Sequence, residues 1–440
     1  MSKRNFILLI IILVIIVIGV FWFLFAKQTP STEEGTGEGI NFGSMFNPFG
    51  PTKPATSPAT PPVDISGYQP EPTSEIVIKL KKISSIPIAG FAVFNKERLK
   101  EINPTPTLLE GEGAETPAKP TPPPTEFMPA LRYVDRATGN IYQTFADKIE
   151  ERRFSTTVIP KVYEAFFGNK GESVIMRYLK PDERRIETFV GNLPKELLGG
   201  DTTENNEIKG AFLPADVKDV SLSSDGENVF YLFNSENNII GATLNLLTNK
   251  KTQIFDSPFT EWLSQWPNNK MITLTTKPSS LVPGYMYTMN SGGQNFNQVL
   301  GKINGLTTLT SPDGKLALYG DNNLSLSLYH TDTKTIEPLG ARTLPEKCVW
   351  GKAGDTVYCA VPKSAGGGQY PDTWYQGEVS FDDQIWKIDI ETKNATLVID
   401  PVMIVGGEEI DGIKLAMDDG ENYLFFVNKK DSFLWELALK

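Results

Sequence analysis

Ser221-Leu222-Ser223-Ser224-Asp225-Gly226-Glu227-Asn228-Val229-Phe230-Tyr231-Leu232-Phe233 holds a tight turn followed by an apolar run. Asp225-Gly226 supplies the positive φ that a short hairpin needs, and Val229 to Phe233 is long enough for a strand buried on both faces. The pattern recurs as Leu309-Thr310-Ser311-Pro312-Asp313-Gly314-Lys315-Leu316-Ala317-Leu318-Tyr319. It returns as Leu415-Ala416-Met417-Asp418-Asp419-Gly420-Glu421-Asn422-Tyr423-Leu424-Phe425-Phe426. Asp225 and Asp313 lie 88 residues apart, two steps of 44.

A second pattern follows the first. Leu244 to Ile254, with Thr248-Asn249-Lys250 at its turn, aligns with Leu328 to Ile336 and with Trp386 to Val398, and Tyr133 to Tyr142 fits the same form. It reads as the outer hairpin of a repeating unit. A repeat of 40 to 45 residues in this order is the signature of four-stranded propeller blades. The expectation is an all-β propeller over residues 75–440, with blades near 86–155, 160–193, 217–256, 259–301, 303–340, 345–400 and 410–438. Seven blades are favoured; six or eight remain open, because Pro267-Asn268-Asn269-Lys270 and Lys352-Ala353-Gly354-Asp355 depart from the turn pattern. The last unit shows three strands. Glu75 to Lys82 alternates apolar and polar residues and suits the missing outer strand, which would close the ring from the N-terminal side.

The Ser-x-Asp-Gly step before an apolar strand resembles the WD40-like repeat of TolB-type propellers. The wider layout is similar to single-pass exported propeller proteins of unknown role in candidate-phylum bacteria: an apolar N-terminal run, a Pro/Thr spacer, Ile86-Pro87-Ile88-Ala89-Gly90, then Leu131 to Gly139. The resemblance implies a fold, not an activity.

Ahead of the repeats, Phe6 to Ala26 is a run of 21 residues without a charge. As a helix it would be roughly 30 Å long, the hydrocarbon thickness of a bilayer. It lacks the small-x-small site of a cleaved signal peptide, so a retained anchor is expected over residues 1–27. Lys3 and Arg4 keep the N-terminus in the cytoplasm and place the propeller outside it. Residues 28–74 are rich in Pro, Thr, Ser and Gly without hydrophobic period, and read as a disordered linker reaching on the order of 40 Å. Asn103 to Thr125 reads as a similar insert between two strands.

The 440 residues carry a formal charge of −11, and no basic stripe interrupts it, so a nucleic-acid partner is not expected. One histidine, His330, and two cysteines leave no set for a zinc centre; neither a metal nor a cofactor is expected. His330 reads as structural or solvated. Cys348 and Cys359 are equidistant from a turn at Ala353-Gly354, hence opposed across one hairpin, and a disulfide is expected there.

The sequence holds no sialidase-type Asp box, Gly-x-Ser-x-Gly elbow, phosphate loop or EF-hand spacing, which lowers an enzyme reading without excluding it. Glu408, Glu409 and Asp411, and the pair Asp382-Asp383, read as solvated loop charge. Two long loops belong to the face on which propellers usually bind: Lys363 to Gly377, with Tyr370, Trp374 and Tyr375, and Lys277 to Tyr285. These four tyrosine and tryptophan residues form either a recognition surface for a protein, peptide or glycan, or a cover for the propeller's own top. The expected function is therefore a membrane-tethered binding or scaffold module at the cell envelope. The alternative is an exported hydrolase acting on glycan or peptidoglycan through acidic residues near the channel.

Overall fold

A computed structural model of the chain describes residues 79–101, 123–180, 182, 185–198, 206–404 and 407–440. Phe6 to Ala26, the linker and most of the 103–125 insert lie outside these. Among the described residues, no helix is long and apolar enough to cross a membrane.

Seven antiparallel sheets of four strands form a propeller. Blade 1 comprises Ile88–Leu99, Thr125–Asp135, Ile141–Phe145 and Arg152–Arg153. Blade 2 holds Val162–Gly168, Ser173–Leu179, Ile186–Asn192 and Lys209–Phe212. Blades 3, 4 and 5 begin at Val217, Trp262 and Thr307 and end at Ser257, Asn304 and Arg342. Blade 6 comprises Cys348–Trp350, Thr356–Pro362, Asp383–Asp389 and Ala395–Ile399. Blade 7 takes Gly412–Met417, Tyr423–Asn428 and Leu434–Ala438 from the end of the chain and Leu80–Lys82 from its beginning.

The second strand of each blade is sandwiched between neighbouring sheets, which is why it reads as a continuous apolar run. Val229, Phe230, Tyr231 and Leu232 are all buried. Cores lie between blades: Ile175 and Val190 of blade 2 pack with Val229, Tyr231 and Ala242 of blade 3. Leu131 and Tyr133 of blade 1 pack with Phe425, Val427 and Leu434 of blade 7, so the two chain ends share one core.

Outer strands are the most exposed, with at most two buried residues each, so they carry a weaker pattern. That explains the one strand the repeat analysis leaves out: Lys209–Phe212 is exposed along its length, so blade 2 runs on to residue 212 rather than ending at 193. The closing strand is where the alternation of Glu75 to Lys82 places it. Leu80 pairs with Leu437, Lys81 with Glu436 and Lys82 with Trp435.

Turn chemistry accounts for the repeats and for two departures from them. In blade 3, Ser223 Oγ donates to Asp225 Oδ1 and accepts from the Asn228 amide at 2.9 Å, while Gly226 has φ 70°. Blade 5 repeats this with Ser311, Asp313 and Gly314. In blade 7 the motif is offset by one residue from the Asp-Gly alignment. Asp418 takes the serine's place, its carboxylate accepting from the amides of Asn422 and Tyr423, and the positive φ falls on Glu421. Tyr133 to Tyr142 is also displaced: it joins the second and third strands of blade 1, not an outer pair. Asp135 accepts from the Ala137 amide and the Thr138 hydroxyl there, as Asp389 does with Thr392 in the outer hairpin of blade 6. The motif encodes a turn, and that turn serves at either end of a blade. The two irregular steps, near 268 and 353, occupy the same first-to-second-strand position as the regular ones.

Cys348 and Cys359 are cross-strand neighbours in blade 6 with Cα atoms 4.0 Å apart, and they form a disulfide.

Glu436, opposite the closing strand, is buried, and its Oε2 has no hydrogen-bond partner. Burial pushes its carboxyl up to about 7, with Lys81 only partly opposing this. The folded state therefore holds this proton more tightly than the unfolded chain. Its penalty is absent in acid, grows as pH rises from the ordinary glutamate range, and is complete above about 7. Glu436→Gln is expected to stabilise the protein by roughly 2 kcal/mol at pH 8 and to change nothing at pH 4. Urea midpoints at the two pH values measure it; an equal effect at both would refute the assignment.

Candidate functional site

Each blade contributes two kinds of connection to one face of the propeller, its second-to-third-strand loop and the link to the next blade. On blades 4 to 7 these connections are interlocked. The Ser280 amide of blade 4 donates to Asp372 Oδ2 of the blade 6 loop at 2.6 Å. Asn322 Nδ2 of blade 5 donates to the Ser280 carbonyl at 3.2 Å, and the Gly305 amide to the Ser279 carbonyl at 2.8 Å. A one-turn helix, α1 (Asp372–Tyr375), sits in the blade 6 loop. Beneath it Leu324, Leu344, Tyr370, Trp374 and Phe381 form a small core of their own.

Within this cap lies a buried ionic knot. Lys347, fully buried, places Nζ 2.8 Å from Asp383 Oδ2 and bonds Asp411 Oδ1; both carboxylates are likewise fully buried. Asp411 Oδ2 also accepts from Trp374 Nε1 and the Phe381 amide, each at 3.0 Å. Asp383 Oδ2 accepts from the Gly412 amide at 2.7 Å. Burial pushes the Asp411 carboxyl up, but Lys347 and these donors outweigh it and hold the group below its ordinary range. For Asp383, burial wins over the same ammonium and the nearby Asp411 adds to it, leaving the group up at about 6. Lys429 closes the knot from above: its Nζ donates to the Trp374 carbonyl at 2.7 Å and lies 4.7 Å from the indole centroid.

These contacts assign places to the four aromatic residues singled out in the sequence. Tyr370 and Trp374 are 3% and 4% exposed and hold the loop down from within. Tyr375 keeps 42% of its surface exposed, while its hydroxyl donates to Glu346 Oε2 at 2.7 Å. Tyr285 is half-buried in the third strand of blade 4, paired with Gly301, and is not brought to the other three. The outward side chains of that loop are Leu281, 71% exposed, and Val282, 59% exposed. Their signal in the sequence was faint: two apolar residues between prolines in a polar loop.

Of the acidic clusters, Asp383 and Asp411 are not solvated loop charge; they are the two anions of the knot. Glu408 and Glu409 do lie at the surface, with Lys82 and Lys430, and Asp382 is half-buried beside Lys363. His330 stands on the outer hairpin of blade 5, 3.7 Å from Glu337.

A cavity of about 210 Å³ opens among the inner strands. It is lined by Asp219 of blade 3, Ser264 and Gln265 of blade 4, Thr307 and Thr308 of blade 5, and Glu346 of the link into blade 6. Asp219 Oδ2 accepts from the Ser264 amide at 2.7 Å and from its hydroxyl at 2.5 Å. Burial nevertheless pushes Asp219 up to about 6. Burial likewise pushes Glu346 up to about 7, against the pull of the Tyr375 hydroxyl and Lys347. Nothing in the sequence marks this pair, because the two acids lie 127 residues apart in unrelated segments.

No family model matches the chain, and neither does any curated protein. Among solved structures it is similar to an oligogalacturonate lyase in complex with manganese, at 10% identity and TM-score 0.47 over 71% of this chain and 85% of that one. It is similar to TolB from Acinetobacter baumannii at 11% identity and TM-score 0.38, over 59% of each chain. A nidogen/laminin complex matches at 11% identity and TM-score 0.38 over 58% of this chain and 86% of that one.

Proposed function

We propose that the chain is a membrane-tethered binding module, which presents the interlocked loops of blades 4 to 7 to a protein, peptide or glycan at the cell envelope. One observation carries this reading. A surface that exposes Leu281, Val282 and Tyr375 is fixed from below by a fully buried ammonium and two carboxylates. Apolar side chains on a rigid support lose little entropy on contact, which is what a recognition surface needs. Phe6 to Ala26 supplies the anchor and Lys3 with Arg4 its orientation. The disulfide of blade 6 fits the oxidising compartment that this orientation gives.

A photo-crosslinking residue at position 281 of the full chain is expected to yield envelope adducts in intact cells, and one at position 336, exposed on the opposite face, to yield none. Leu281→Ser with Val282→Ser should weaken capture by about tenfold or more, the loss typical of hot-spot residues. Equal adducts at both positions would end the proposal.

A second reading follows from Asp219 and Glu346, two carboxyls held near neutrality around one cavity. Paired acids of this kind perform glycoside hydrolysis. Turnover of a glycan panel that vanishes in Asp219→Asn would favour it over binding.

A further inference from the structure

Asp219 and Glu346 both line the cavity among the inner strands. The cations beside them are committed elsewhere. Arg177, which acts on Asp219, pairs with Glu164 at 2.5 Å and donates to the carbonyls of Val217 and Lys218. Lys347, which acts on Glu346, is held by Asp383 and Asp411. Both described bonds to Asp219 fall on Oδ2. Glu346 Oε1 is buried and accepts nothing. Thr307 lines the same cavity; it is 3% exposed, and its hydroxyl has no partner. Glu346 Oε1 and Thr307 Oγ1 are thus buried oxygens without a partner in a cavity that Asp219 also lines.

We infer that this cavity takes a primary ammonium group, carried on a lysine side chain of a protein or peptide partner docked on the loop face. An ammonium has three donors and no acceptor, matching the two carboxyls and the Thr307 hydroxyl oxygen that line the cavity. A hard dication fits less well, since it calls for six or more oxygens and the described residues supply no group of three acidic, His or Cys ligands. Tyr375 links the cavity to the surface: its ring is half exposed while its hydroxyl rests on Glu346, so an alkyl stem can lie along the ring as the charge goes inward. The inference rests on the binding reading above and narrows its partner to one that offers lysine.

The ligand's charge would have to ionise both acids, so affinity rises with pH. The charged and titratable neighbours are Glu164 and Arg177 around Asp219, and Lys347 and Tyr375 around Glu346. With Asp219 at about 6 and Glu346 at about 7, the site is doubly protonated at pH 5 and largely ionised at pH 8.

The test titrates the full chain with Nα-acetyl-lysine methylamide and, separately, with its Nε-acetylated analogue, by calorimetry or ligand-observed NMR. Saturable binding of the amine alone is expected at pH 8, weakened about tenfold by Glu346→Gln, as for loss of one charge-assisted hydrogen bond. It should fall further at pH 5. Glu346→Gln imitates the protonated side chain, so it should fold; an unchanged melting temperature confirms that. Equal binding of the two probes, no saturable binding, or indifference to Glu346→Gln would each overturn the inference. If the probe fails while adducts at position 281 persist, the cavity holds only water and the loop face still binds. If the adducts fail while the probe behaves as expected, the binding face is wrong and the ammonium site stands.

Discussion

Leu80→Asp is expected to open the ring, with a loss of about 4 kcal/mol or more and a tendency to self-associate that grows with protein concentration. Leu80 is buried against Trp435, Leu424 and Leu437, in the core that blade 7 shares with Tyr358 and Ile385 of blade 6. Burying a carboxylate there has no compensating partner, so the strand must leave. Its departure frees the edge of Leu434–Ala438, whose unpaired amides and carbonyls then invite a second chain. Lys79→Gln, at an exposed position on the same segment, should stay within about 0.5 kcal/mol of the parent. Urea unfolding and light scattering read both outcomes. An unchanged midpoint and a monomer for Leu80→Asp would mean that three residues do not close this propeller.

Lys347→Met should cost roughly 3 to 5 kcal/mol, the range for leaving buried charge without its partner. It strands Asp383 and Asp411 without the ammonium that bonds both. Because either can escape only by taking a proton, the variant should regain stability relative to the parent as pH falls toward 5, whereas loss of ordinary packing would cost the same at every pH. The blade 6 loop should loosen at the same time, with proteolysis setting in at Gly366-Gly367-Gly368. Asp411→Asn should cost less, since Lys347 keeps Asp383 and the pair stays neutral. A Lys347→Met protein as stable as the parent at pH 8 would show that the knot does not hold the cap.

How far the sequence could be read follows from where each signal resides. The turns announce themselves because Ser223, Asp225 and Gly226 bond one another within six residues, and the next strand is apolar on both faces. Order and spacing then suffice for the ring and for the pairing of Cys348 with Cys359. Lys209–Phe212 escapes, since a strand wet on both sides has no period to detect. The ionic knot escapes for a different reason. Pro345-Glu346-Lys347 reads as an ordinary charged turn, and its partners arrive from 64 residues away and from another strand of its own blade. Aromatic content left the loop open as a surface or as a cover; Tyr370 and Trp374 turn inward, while Tyr375 stays partly exposed. Trp374 faces inward because its indole N–H has a buried carboxylate to meet, and only the fold supplies that carboxylate.

The way the ring closes also fixes where the chain can be held. Leu80–Lys82 runs antiparallel to Leu434–Ala438, and Ala438 donates its amide to the Lys79 carbonyl beside the first hairpin of blade 7. Entry and exit therefore share one rim, opposite the crossing loops. A label, bead or chip attached at Lys79 or Lys440 leaves those loops pointing away from the support. A pull applied there meets a strand of only three residues first.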